Sequence, residues 1–243
     1  MDSTFQYILL LSKYVNVIIN CNQRDYMEKY MKVFIDTGIM SQSAHFGWAN
    51  KDEALYGLRE GYKNSADELV EIVLKNGADI KKLDTYIFPI IFSYRHSIEI
   101  SLKHIYLRAY GALPAGGHNL LTLWDTINNE IIEKLIKSND FVEQVKKSKK
   151  RFVKYSLEGI SLSKFRLLIK ELQEANQKNE EINPQVRQVD QNAEVWRYLM
   201  SADGELFFKF SHSIDYVNLK ESINYIYEIL DFVYDIIDDY LSS

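Results

Sequence analysis

Residues 86–105 read Tyr86-Ile87-Phe88-Pro89-Ile90-Ile91-Phe92-Ser93-Tyr94-Arg95-His96-Ser97-Ile98-Glu99-Ile100-Ser101-Leu102-Lys103-His104-Ile105. Projected at about 100° per residue, Ile91, Ile98, Leu102 and Ile105 share one arc of a helix. Ser93, Ser97 and Ser101 form an i, i+4, i+8 ladder on a second arc, where small side chains admit a neighbouring helix. Arg95, His96, Glu99 and Lys103 make a third arc, with Phe88, Phe92 and Tyr106. A surface helix has one apolar and one polar face; this one is apolar or small nearly all round, so it belongs at the centre of a helical bundle. Its charges are then partly buried or line a cleft, and burial is costly unless they are paired. Arg95–Glu99 and Glu99–Lys103 are both i, i+4 pairs, so Glu99 can bridge two cations. Counted on this helix alone, the cluster is one to two charges positive, depending on His96, which suits a phosphate or another anion. The competing reading is a buried ion network that sets helix register.

Working outward, Asp84 is a candidate cap for this helix, which should run to about Tyr110 with Pro89 tolerated in its first turns. Leu113-Pro114-Ala115-Gly116-Gly117 ends it, and His118 or Asn119 starts another helix with Leu120, Leu123, Trp124 and Ile127 on one side. At a helix start, His118 would meet the positive end of the helix dipole beside N–H groups open to an anion; a plain capping role is the alternative. Upstream, residues 3–36 read as one or two helices, 37–50 as a connector, and 52–75 as a helix that Asp52 could cap. Downstream, 139–176 read as helical with a break near Gly159, and 177–194 as a polar connector. Val195–Met200 and Glu205–Phe210 flank Asp203-Gly204, a hairpin turn signal. In the last helix, about 216–241, Leu219, Ile223, Ile226, Leu230, Val233 and Ile237 form a seam, read here as an internal bundle contact in preference to a dimer seam.

Composition agrees with an all-α protein. The 243 residues include only three prolines and ten glycines, too little punctuation for a sandwich or barrel. The expected layout is one helical domain over 1–243, with N-terminal helices over 3–75, a core over 84–176, and the hairpin and C-terminal helix over 195–241. A net charge of −5 argues against a wholly basic duplex-binding surface. The single cysteine, Cys21, excludes an intrachain disulfide and a Cys-rich zinc site and suits a reducing compartment. The five histidines show no His-x3-His spacing, and there is no P-loop, GxGxxG or GxSxG, so no metal or other cofactor is expected. The apolar run Ile8–Leu11 lacks the preceding basic region of a secretory signal, and no stretch approaches 20 apolar residues. A cytoplasmic protein with no membrane partner is expected.

The run Phe88-Pro89-Ile90-Ile91-Phe92-Ser93-Tyr94-Arg95-His96-Ser97-Ile98-Glu99 through Lys103, followed by Gly117-His118-Asn119-Leu120 and Leu123-Trp124, resembles the bacterial HEPN-like proteins (higher-eukaryote and prokaryote nucleotide-binding). Trp196-Arg197-Tyr198 with Asp203-Gly204 is similar to a hairpin of the same group. The specific part spans about 40 residues. The resemblance implies a bundle of four or five core helices, often dimeric, that binds RNA or a nucleotide or cleaves RNA. It also implies a toxin–antitoxin or phage-defence setting, with an antitoxin or defence component as protein partner. One departure matters. Catalytic members carry a His four to six residues after the Arg, and here no Arg has one; His104 lies nine residues from Arg95.

Two functional readings follow. In one, the cluster binds RNA, a nucleotide or a protein without chemistry: Arg95 and Lys103 hold phosphate, Glu99 orients them, and Arg197 and Tyr198 stand at the cleft edge. In the other, Arg95, His96 and His118 form a rearranged metal-independent endoribonuclease site, since such cleavage needs a base, an acid and a cation on the phosphate. A third reading is a purely structural or protein-interaction bundle. Separately, Lys146, Lys147, Lys149, Lys150 and Arg151, with Lys154, form a basic run that could track a nucleic-acid backbone, although a solvated helix face is the commoner meaning of such a run.

Overall fold

The structure is a computed structural model and describes residues 34, 38–140, 143, 162–174, 190, 192–198, 200–208 and 211–242. The chain divides into two units, Met1–Gly47 and Trp48–Ser243. In the first, the described part holds a short 3-10 turn, Met40–Gln42, closed by Ser43 Oγ donating to the Ile39 carbonyl at 2.9 Å.

The second unit is helical. Its elements are α1 (Lys51–Lys75), α2 (Ile80–Thr85), α3 (Ile87–Tyr110), α4 (Leu120–Ile127), α5 (Glu133–Lys137), α6 (Leu162–Glu174), α7 (Val195–Tyr198) and α8 (Tyr216–Leu241), with a π-helical turn, Asn128–Ile132, joining α4 to α5. Local chemistry sets their ends. Asn50, rather than Asp52, caps α1 by accepting from the Asp52 N–H at 2.9 Å. Asp84 caps nothing: it lies inside α2, which Asp79 caps, and α3 follows after Tyr86. Gly111 ends α3 at φ +69°, a left-handed conformation natural to glycine. Asn119 caps α4 through Thr122 N–H at 2.9 Å, and Asp215 caps α8 through Asn218 N–H at 2.7 Å.

Helix α3 is central, in contact with α1, α2, α4, α7 and α8. Twelve of its side chains are buried, including Ile91, Ile98, Leu102 and Ile105 of the first arc. The serine arc also faces inward. Ser97 and Ser101 are fully buried, each hydroxyl donating to a carbonyl of its own helix (Tyr94 at 2.7 Å, Ser97 at 2.9 Å), so they present little bulk to the neighbouring helices. The α8 seam is buried within the chain through Ile223, Ile226, Leu230, Val233 and Ile237.

The hairpin expectation needs correction. Among the described residues there is no strand: Val195–Tyr198 is a helical turn, and the only pairing is one antiparallel bridge between Met200 and Leu206. The Asp203-Gly204 turn is present, with Gly204 at φ +81°, but it closes a loop. The cause is Asp190, whose carboxylate accepts from Glu194 N–H at 2.6 Å and starts α7 where a strand was expected.

Candidate functional site

The charged arc of α3 folds inward. Arg95 and Glu99 are each 1% exposed. Arg95 Nη2 donates to the His118 carbonyl at 3.0 Å and the Asp190 carbonyl at 2.8 Å. Its Nη1 lies 3.7 Å from Glu99 Oε2, and its Nε lies 3.6 Å from Asp190 Oδ2. Burial pulls the guanidinium below its ordinary pKa, while Asp190 and Glu99 oppose that shift. Arginine stays charged regardless. The side chain is therefore a tie between α3, the loop before α4 and the loop before α7, and its donors face protein groups.

Glu99 is the hub. Its Oε1 takes Lys103 Nζ at 2.6 Å and His118 Nδ1 at 2.9 Å. The Lys103 side chain is 21% exposed and that of His118 is 51% exposed, so the carboxylate holds an ammonium and an imidazole side by side with their outer atoms toward solvent. His96 adjoins them on α3. Its ring stacks on Phe92 (centroids 5.7 Å apart) and meets Tyr62 edge-on at 4.6 Å. Burial lowers its pKa; Glu99 opposes this, and Lys103, His118 and Arg95 reinforce it.

Two glycines place His118. Gly116 and Gly117 have φ of +118° and +58°, and a Cβ on Gly116 would stand 3.0 Å from Thr122 Cγ2. Two of the helix-start amides expected to receive an anion are occupied: Thr122 N–H by Asn119, and Leu120 N–H by Gln173 Oε1 at 2.6 Å. Gln173 is fully buried and also donates Nε2 to the Asp190 carbonyl at 2.5 Å, so α4, α6 and the Asp190 loop meet behind Arg95.

Arg197 and Tyr198 stand on α7. Arg197 donates to the Ala193 carbonyl at 2.8 Å and lies over the Tyr198 ring at 4.9 Å. It thus holds its own loop, and its charge opposes that of Arg95. Lys146, Lys147, Lys149, Lys150, Arg151 and Lys154 lie outside the described residues. Among the described residues, no group of three or more His, Cys, Asp or Glu is arranged to hold a metal ion, and no helix is long and apolar enough to cross a membrane.

Sequence reading overlooked Asp190 and Gln173. Both sit in or beside the polar stretch 177–194, read as an exposed connector, and nothing local marks them. Asp190 changes the electrostatics: with Glu99 it balances Arg95 and Lys103, and the further cation that acts on Arg95 is Arg197.

No family model, curated protein or solved structure matches this chain.

Proposed function

We propose that this chain is a HEPN-like bundle that binds the phosphate of RNA or of a nucleotide at the His118–Lys103 face, in a toxin–antitoxin or phage-defence setting. One observation carries the reading: a buried carboxylate oxygen, Glu99 Oε1, holds Lys103 Nζ at 2.6 Å and His118 Nδ1 at 2.9 Å. A surface lysine and a surface histidine need no such anchor. A pair fixed from below is arranged for a shared guest: the Lys103 ammonium donates to phosphate oxygens, and His118 Nε2 joins it as a donor when both ring nitrogens carry protons. Arg95 acts as a positioning residue, holding Glu99 and the His118 loop in register.

Metal-independent RNA cleavage is the second reading, and the same pair favours it. A carboxylate on Nδ1 fixes the tautomer and leaves Nε2 outward as a base, with Lys103 as the cation on the phosphate. His96, packed between two rings, is less well placed to deliver a proton.

The test is binding of a short single-stranded RNA and of nucleoside phosphates, followed by fluorescence anisotropy at two salt concentrations. A parallel RNA-cleavage assay in EDTA separates the second reading. Saturable, salt-weakened binding is expected, reduced about tenfold or more in His118→Ala and Lys103→Met, with the His118→Ala fold intact because that side chain is half exposed. RNA and nucleotide affinities that both variants leave unchanged would defeat the proposal.

A further inference from the structure

A hollow of about 220 Å³ lies where α3, α6, α7 and α8 meet the loop before α8, and it shares no lining residue with the Glu99 cluster. Ile91 of α3 and Ile223 and Ile226 of α8, all buried, form part of its wall, and Leu168 and Leu172 line it from α6. A serine keeps it open. On α8, Ser222 stands three residues after Leu219 and four before Ile226, on the same helix face, and all three line the hollow. The short serine side chain leaves space that a leucine would fill.

Two rings complete the wall. Trp196 of α7 and Phe208 of the loop, both half-buried, have centroids 5.0 Å apart and planes inclined by 48°. Phe88 packs against Trp196 at 6.2 Å, and His212 meets Phe208 edge-on at 5.4 Å, so each ring is held by a neighbour. The Asp190 carboxylate that starts α7 helps to fix where Trp196 stands. Charge narrows the choice of guest. No lysine or arginine lines the hollow, whereas two carboxylates, Glu171 and Asp215, do. Asp215 is already engaged as the α8 cap, accepting from Asn218 N–H at 2.7 Å. The His212 imidazole is the only lining group able to become positive, so an anion finds no permanent cation here.

We propose that this hollow binds a neutral, planar aromatic molecule of one or two fused rings, packed against Trp196 and Phe208. Aromatic pairs gain attraction beyond the area they bury, and two fixed rings at an angle offer a guest ring both stacked and edge-on contact. Size sets the class. An apolar cavity of about 150 Å³ takes up benzene, and pockets for drug-sized ligands begin at roughly 300 Å³. The volume between these limits suits a two-ring molecule and is too small for a nucleotide, so this site is separate from the phosphate face proposed above.

Isothermal titration of the full chain with 3-methylindole tests this, at about pH 8 so that ordinary imidazoles are neutral. Expected is saturable one-to-one binding with a micromolar dissociation constant. Indole-3-acetate, the same ring carrying a carboxylate, should bind about tenfold more weakly or worse. Ser222→Phe fills the hollow and Phe208→Ala removes one ring from its wall; each should weaken 3-methylindole about tenfold or more. Thermal melting checks that both variants are folded, and Phe208→Ala, placed in a loop, carries the test if Ser222→Phe does not fold. Leu167→Ala, on an α6 side chain that is 64% exposed and outside the hollow, should leave affinity unchanged. N-acetyltryptophanamide presents the same ring as a protein side chain would. Non-saturable heats, equal affinity for indole-3-acetate, unchanged affinity in folded Phe208→Ala, or tighter binding of N-acetyltryptophanamide than of 3-methylindole would each overturn the proposal.

Discussion

Replacing Arg95 by methionine removes one buried charge while keeping much of the side chain's length, so little of the effect comes from an empty cavity. Four interactions go: the donations to the His118 and Asp190 carbonyls at 3.0 and 2.8 Å, and the ion pairs to Glu99 and Asp190 at 3.7 and 3.6 Å. Not every partner is stranded. Glu99 keeps Lys103 and His118, and the Asp190 carbonyl keeps Gln173. The main loss falls on the Asp190 carboxylate, whose side chain is 3% exposed and which retains only the amides of α7 against its charge. Breaking a buried pair from one side costs about 3–5 kcal/mol. The surviving partners put Arg95→Met near the lower end, about 3 kcal/mol, or roughly 6–12 °C in melting temperature for a unit of this size. Urea unfolding followed by circular dichroism measures it. The double variant Arg95→Met/Asp190→Asn removes the stranded charge as well, and should recover at least about 1 kcal/mol relative to additivity. A single variant that loses less than about 1 kcal/mol, or a strictly additive double variant, would refute the claim that Arg95 ties the loops through its charge.

Two further outcomes follow from buried polar groups. Gln173→Leu orphans the Leu120 N–H and strips one donor from the Asp190 carbonyl, so urea unfolding should show a loss of about 2–3 kcal/mol; a change under about 0.5 kcal/mol would contradict the bridge. Burial lowers the pKa of both His96 and His104 from the ordinary 6.5. Below that value the unfolded chain takes up protons that the folded chain resists, so their contribution is complete above about pH 6.5 and declines as pH falls toward the lower folded values. Wild type should lose more stability than His104→Gln between about pH 7 and pH 5.5 in urea titrations; equal losses would remove His104 from this account.

The central helix was legible because its pattern is local. A segment apolar on nearly every side has few places to go but a bundle interior, and α3 lies there with Arg95 and Glu99 buried beside Ile98 and Leu102. The helix starts were less secure, because several short acceptors compete near each one. Asn50 stands two residues before Asp52 and takes the cap, and Asp79 starts α2 five residues before Asp84, so Asp84 falls inside a helix and not at the start of one. The hairpin misled for a related reason. Asp203-Gly204 does make a turn, but a turn alone does not pair strands when Asp190 nucleates a helix across the expected first strand. His104 shows the cost of a one-helix view: nine residues from Arg95 it left the first cluster, and only the folding of α1 and α8 around α3 reveals that Asp52 and Tyr234 give it one of its own.

The same reasoning moves the functional weight from Arg95 to His118. Along α3 the charges sum to an excess of cations, which argues for an anionic guest. That sum omits Asp190, 95 residues downstream, whose carboxylate offsets one of those cations. Arg95 is buried, with Nη2 on two backbone carbonyls and its other nitrogens facing Glu99 and Asp190 at ion-pair distance, so it has no hand to extend. What remains outward is the Lys103 ammonium and the His118 imidazole on their shared carboxylate oxygen. On the proposed reading a phosphate guest meets these two side chains, and the glycine pair before His118 and the buried Glu99 beneath it supply the rigidity that holds them side by side.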